Sequence, residues 1–464
     1  MLILGLLLPM LLGLAICWLI IPDASIPVRF ALAYSLGFGF LTLAMFFLNV
    51  FGVKFSLVNT VILVCGLIAI LLAIRRKRNR WGLLSATKVN PFVGIKQFMT
   101  SLSGFEKILL GLLIFFLLSH LVIAVYWPVL RSDSLTLYDL RAKYLFAEQS
   151  FPGAVAKFQN QLLRLQWTRH VFAHAPMTSL VHTWLYLCGW ASPKVFYPLL
   201  FISLATLFYH FLSDYVPRYH ALLFTLIWVT TPFTYIYATN SYPHFTVAFY
   251  FSVGTFYLYR WIQVQKGSYL LLAGVFLGLS SWVRQVSSIF FLGYLIIVLY
   301  VGVTRRRFFA PFFFCALYIS ISSLWNIYCE NVFHFTGGIS PPISQSFSFL
   351  PMIGRFFSFL RWKGILTFFW KDILLKSGAV YYLLILTILL YLDRIWKHRF
   401  LFLIVLSNLI LFLIGLYIAM PTVHDVSSVW RLSIMFFPII WYFIALITGE
   451  PNYLKDEEKV QKRL

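Results

Sequence analysis

The sequence predicts an all-α, polytopic integral membrane protein with about 13 transmembrane helices. Three observations carry this. Of the 464 residues, 61% are apolar and only 11% charged, with a mean hydropathy of +0.86, whereas a water-soluble domain carries about 25% charged residues to cover its surface. Apolar runs recur at the roughly 20 residues that cross a bilayer. Basic residues collect in short turns between those runs, the pattern that orients membrane segments.

The runs fall at 1–21, 28–50, 56–74 and 108–129, then after a long polar interval at 194–213, 219–238, 243–262, 269–285, 286–303, 309–329, 378–392, 399–419 and 431–448. A lipid-exposed backbone must satisfy its own hydrogen bonds, so each is expected to be helical. The first run lacks a basic leader region and a small-residue cleavage site and reads as a retained span. Segment 175–190 is apolar but short, and counting it would invert every later basic turn. It reads as an interfacial helix with Pro176 in its first turn.

Orientation follows from three basic clusters: Arg75, Arg76, Lys77, Arg78 and Arg80; Arg305, Arg306 and Arg307; and Arg394, Lys397 and Arg399. With all three cytoplasmic, the charged C-terminal tail lies inside and the N-terminus outside. Segments 130–193, 240–244, the neighbourhood of Arg284, 330–377 and 420–430 then face the extracytoplasmic side. Charge content shifts near residue 105, dividing the chain into a three-helix unit with a basic cytoplasmic linker (1–105), a core with a large outer loop at 130–193 (106–303), and C-terminal helices with an outer loop at 330–377 and a cytoplasmic tail (304–464).

The net charge of +23 would point to nucleic acid in a soluble protein. Here the excess sits in loops, where it sets topology and meets anionic membrane lipids, so no nucleic-acid partner is expected. Cys17, Cys65, Cys188, Cys315 and Cys329 show no CxxC spacing, which argues against a disulfide framework or a zinc site.

Acidic residues are few enough to treat by exhaustion. Only Asp133, Asp139, Glu148, Glu330, Asp372 and Asp425 face outward in this topology. Asp133 opens the segment SDSLTLYDLRAKYLF, expected as a surface helix with an apolar stripe of Leu135, Tyr138, Ala142 and Leu145. A carboxylate at the water–lipid boundary can take a proton from an acceptor; it can equally be a helix cap. Asp139 stands four residues before Lys143, the spacing of an ordinary helix ion pair. Arg141 and Lys143 could hold a phosphate or anchor to headgroups. Arg284 is the single charged break in the apolar stretch 269–300 and must face a cavity or the interface; its fork suits a phosphate. Arg431 is a second candidate clamp, beside a turn holding His424 and Asp425. His170 and His174 have a metal-compatible spacing but lack an accompanying carboxylate, and read as solvated loop residues.

The same residues carry a family likeness. From about Glu106 to Val303 the chain resembles the GT-C superfamily of polyprenyl-phosphate-sugar-dependent glycosyltransferases, close to the protein O-mannosyltransferase and lipid A aminoarabinose transferase group (family 39-like). The likeness rests on the order of SDSLTLYDLRAKYLF, HAPMTSLVHTWLYLCG, TTPFTYIYATNSYPHFTVAFYF, GVFLGLSSWVRQ and VWRLSIMFFP. It implies a GT-C-like fold with interfacial helices in the large outer loop and Asp133 as the catalytic aspartate. It further implies donor-phosphate contacts from Arg284, more loosely Arg431, with Arg141 and Lys143 also at hand. Tyr138, Asp139, His174, His244, His424 and Asp425 are candidates for contacting the acceptor or supporting the site. Two positions depart from the family pattern: His244 stands where an aspartate is usual, and Val286 where an acidic residue or glycine is common. Residues 1–105 have no matching counterpart.

The implied activity is a membrane glycosyltransferase of glycan biosynthesis in the cell envelope. It would move a sugar, with inversion, from a polyprenyl-phosphate donor to a glycan, lipid or protein acceptor on the extracytoplasmic side. No cofactor is required, and nothing in the residues argues for a divalent metal. A lipid-linked glycan polymerase or ligase is the enzymatic alternative. A non-enzymatic lipid or glycolipid transporter is the other, which inverted repeats and helices broken at the midplane would favour.

Overall fold

A computed structural model describes residues 1–80, 99–129, 133–162, 168, 171–334, 358–375, 377–419 and 430–449. Among these residues every regular element is a helix. The chain begins with α1 (Leu2–Ile20), α2 (Ile26–Val50), α3 (Leu57–Arg80) and α4 (Gly104–Tyr126). A π-helical turn (Ser134–Asp139) then leads into α5 (Leu140–Glu148), α6 (Phe151–Leu162) and α7 (Met177–Leu187). The apolar runs continue as α8 (Phe196–Ser213), α9 (Arg218–Thr230), α10 (Pro232–Thr239), α11 (Pro243–Val264), α12 (Gly267–Val283) and α13 (Ser288–Thr304). They close with α14 (Phe309–Ser322), α15 (Leu324–Val332), α16 (Phe359–Phe368), α17 (Val380–Leu390), α18 (Leu392–Lys397), α19 (Arg399–Ala419) and α20 (Phe437–Thr448).

Every apolar run read from the sequence contains a helix, but not all are long enough to cross a bilayer. By length and composition 7 helices qualify among the described residues, or 9 if each of two bent pairs is one span. The chain is therefore an all-α polytopic membrane protein. Helix α17, with 11 residues, covers about 16 Å of a hydrocarbon core about 30 Å thick. The bent pairs are α9 with α10, at 63°, and α14 with α15, at 41°. Pro232 lies at the first break, where its missing N–H and fixed φ interrupt the ladder. At the second, Ser323 Oγ donates to the Ile319 carbonyl at 2.6 Å, a back-bond that bends helices.

The first helices are built into the bundle rather than appended to it. One buried core takes residues from α1 through α20, and α2 runs through it, with 83% of its apolar window buried. Along α2, Tyr34 Oη donates to the Phe196 carbonyl (3.0 Å), the Ser35 carbonyl accepts from Tyr250 (2.7 Å), Thr42 Oγ1 accepts from Trp282 Nε1 (3.1 Å), and Asn49 Nδ2 donates to Tyr328 (2.6 Å). Small residues let α1 and α2 approach closely: a Cβ at Gly13 would fall on the Ala33 carbonyl, and one at Gly37 on the Pro9 carbonyl. In lipid, where apolar side chains gain nothing by leaving solvent, such close backbone packing drives association. Helices α3 and α4 differ, with only 11% and 22% of their windows buried, and present apolar faces to lipid.

The polar interval departs from its expected form. Helix α7 is too short to span, as the sequence reading requires, but Met177–Leu185 are all buried inside the protein instead of lying on the lipid surface. The expected stripe is also shifted: Tyr138, Ala142 and Leu145 are buried while Leu135 is 39% exposed. A π turn closes hydrogen bonds five residues apart, so residues before it leave the 3.6-residue register of those after it.

Candidate functional site

Opposite ends of the bundle carry different chemistry. At one end Arg218 Nε meets Glu106 at 2.8 Å, Lys266 meets Asp23 at 3.6 Å, Arg260 pairs with Asp214, and Arg394 donates to the Ile447 carbonyl at 3.1 Å. Helix α12 starts beside Lys266 and runs 17 residues, about 25 Å, to Arg284 at the other end.

There the chain brings together residues far apart in sequence. Asp133 heads the π-helical turn in helical backbone, and its side chain makes no cap bond. Its Oδ2 instead accepts from Arg431 Nη1 at 3.0 Å, which sets the cap reading aside. Arg431 lies in the 3-10 turn Trp430–Phe436 that leads into α20. Arg284 follows α12 in an extended conformation, so its guanidinium leaves the helix line and Nη1 reaches His244 Nε2 at 2.7 Å. A guanidinium can only donate, so Nε2 is the acceptor, and in the neutral ring the proton sits on Nδ1. That Nδ1 is buried with no hydrogen-bond partner among the described residues.

These pairs share one neighbourhood. The charges of Arg284, Arg431 and Asp133 all act on the Tyr138 hydroxyl, and burial, the dominant effect, raises its pKa so that it remains a donor. Both guanidiniums also act on His244. The Arg431 guanidinium lies 5.5 Å from the ring centroid of Tyr242, within cation–π range. Tyr237, Tyr242 and Ile434 form a small buried cluster under the site, and both tyrosine rings contact His244, at 5.8 and 5.5 Å. Among the described residues Asp133 pairs with Arg431 while Arg284 is held by the neutral His244 ring, beside the buried Tyr138 hydroxyl, and guanidiniums so placed suit an oxyanion.

The remaining described candidates are engaged by the protein itself, although the Arg141 charge also acts on Tyr138. Arg141 is fully buried, and its donors are engaged by Ser179 Oγ (2.7 Å) and the carbonyls of His174 (2.6 Å), Ala175 (2.9 Å) and Val171 (3.3 Å). Burial lowers its pKa to about 10, so it stays charged at neutral pH, but it holds the 171–175 segment and presents nothing to a phosphate. Trp325 Nε1 satisfies the Ala173 carbonyl of the same segment at 3.1 Å, which is how an irregular stretch remains buried. Lys143 pairs with Asp139 at 3.0 Å, the ordinary helix pair. Asp139 is itself buried: Tyr186 donates to it, and His182 Nδ1 lies 3.3 Å away. Burial alone would raise its pKa, but the contacts with His182, Tyr186 and Lys143 outweigh that and lower it to about 2.

His174 is buried, not solvated, its ring 5.7 Å from that of Tyr138. His170, His424 and Asp425 lie outside the described residues. Sequence reasoning missed Tyr237 and Tyr242; the run YIYATNSYPH before α11 held the signal, aromatic residues flanking a proline-started helix. No protein-family model, curated protein or solved structure matches the chain.

Proposed function

We propose that the protein is a GT-C-type membrane glycosyltransferase acting on the extracytoplasmic side, with 13 spans and its basic turns in the cytoplasm. One observation carries the reading: Asp133, Arg431 and Arg284, from segments some 150 residues or more apart, meet around Tyr138 and His244. An acceptor hydroxyl loses its proton to Asp133 while its oxygen attacks the anomeric carbon of the donor sugar. The bond from that carbon to the polyprenyl-phosphate oxygen breaks, and the electron pair leaves on the phosphate. Arg284 and Arg431 stabilise that charge through preorganised donors, and attack opposite the leaving group inverts the anomeric centre.

The test is transfer from a panel of labelled polyprenyl-phosphate sugars by the purified protein and by Arg284→Gln. Loss of a charge-assisted contact worth about 1.5–3 kcal/mol is expected to lower kcat/KM about 10- to 150-fold. Equal transfer by both proteins overturns the role of Arg284, and absence of transfer from every donor overturns the activity. A second reading, a lipid or glycolipid transporter, draws on the two bent helix pairs. Lipid flux in proteoliposomes without cleavage of any glycosidic bond favours it.

A further inference from the structure

A cavity of about 200 Å³ lies between the end of α4, the turn before α8 and the α10–α11 connection, lined by Trp127, Lys194, Ser134, Asn240 and Ser241 among others, and by none of Asp133, Arg284 and Arg431. Lys194 sits in the 3-10 turn Pro193–Val195, which Pro193 starts, and is only 5% exposed. Its Nζ donates to the Trp127 carbonyl at 2.6 Å and more weakly to the Pro128 carbonyl at 3.4 Å. These are dipoles, not charges, and among the described residues no carboxylate pairs with it. Ser134 Oγ and Ser241 Oγ, in residues 1% and 2% exposed, have no hydrogen-bond partner there. A buried cation with no counter-charge among the described residues, beside two hydroxyls without a partner there, is costly unless an anion completes it.

We infer that this cavity is a second oxyanion site, for a phosphate group, independent of the transfer chemistry. Its volume is below the roughly 300–1,000 Å³ of sites that enclose a drug-sized ligand, so it admits one headgroup-sized anion and not a whole lipid. Tyr126 and Trp127 at the end of α4 are 79% and 53% exposed, and such aromatic residues mark the membrane–water interface. At that depth the phosphate comes from a lipid headgroup or from solution.

The experiment uses the full chain in phosphatidylcholine nanodiscs, in an Arg284→Gln/Arg431→Gln background so that phosphate at the first site does not register. Inorganic phosphate is titrated against chloride at constant ionic strength, and in a parallel arm phosphatidic acid is added to the nanodiscs; thermal unfolding and native mass spectrometry report binding. Saturable stabilisation is expected from at least one source. Inorganic phosphate acting alone identifies a soluble anion, and phosphatidic acid acting alone a lipid headgroup. Lys194→Gln, which still donates to both carbonyls, is expected to weaken binding about tenfold or more, and Ser134→Ala/Ser241→Ala, which leaves the lysine cradle intact, several-fold. No saturable effect from either source, or unchanged affinity in the serine variant and in folded Lys194→Gln, overturns the site.

Discussion

Replacing Asp133 by Asn separates a catalytic carboxylate from a structural one. The amide keeps an oxygen that can accept from Arg431 Nη1, the contact seen at 3.0 Å, while losing the ability to take a proton. The side chains of the pair are 37% and 19% exposed, and partly exposed ion pairs contribute about 0–1 kcal/mol, so the unfolding midpoint should hardly move. A general base contributes about 10²- to 10⁴-fold, which places the loss in kcat at about 2.7 kcal/mol or more. The assay is single-turnover transfer from the donor identified in the panel, beside thermal unfolding of the same preparation. A charge exchange, Asp133→Arg with Arg431→Asp, sharpens the contrast: it should restore the pair and the stability lost in either single variant, and leave transfer abolished. Full transfer by Asp133→Asn, or recovery of transfer in the exchanged protein, would refute the assignment.

Three further outcomes follow from the packing. Asp139→Asn should destabilise the protein at neutral pH by about 2 kcal/mol, from a carboxyl held at about 2 against the usual 3.8. Because the folded value is the lower one, this contribution is complete above about pH 4 and drains as pH falls toward 2, about half being gone by pH 3; unfolding midpoints of the two proteins across pH 7 to 3 should therefore converge. Gly37→Ala raises helix propensity by about 1 kcal/mol, yet its Cβ meets the Pro9 carbonyl, so a net loss of about 1–3 kcal/mol is expected, read as a lower midpoint in detergent. Arg141→Met should cost about 3 kcal/mol or more, since each orphaned buried carbonyl at 171, 174 and 175 costs about 1–3 kcal/mol; increased protease cleavage within 168–176 is the local readout.

Much of the architecture is legible in the chain because lipid imposes a simple rule. A backbone without water must be helical, and an apolar run announces itself in one dimension, so the helices behind the thirteen runs are found where the composition places them. Lengths and breaks are less legible: the 63° bend at Pro232 depends on how neighbouring helices accept the freed backbone groups. The short apolar segment around α7 shows the same limit. Composition cannot distinguish a helix resting on lipid from one enclosed by protein, because both surroundings are apolar.

For the site, scarcity did what periodicity could not. With six acidic residues assigned to the outer side, Asp133 stands out by sequence alone, as does Arg284 as the charged break in a long apolar stretch, whereas Asp139 reads as half of an ordinary helix ion pair. Which of them meet was decided by tertiary structure. Asp133 flanks and Asp139 ends one π-helical segment, yet the first meets Arg431 and the second Tyr186 and His182. Arg141 and Arg284 are the same residue type, and one is enclosed by backbone carbonyls while the other reaches His244. The sequence by itself determined the solvent, the helices and a short roster of charges; the fold alone decided which charges are spent on its own backbone and which meet side chains of distant segments, because a hydrogen bond depends on ångströms between segments hundreds of residues apart.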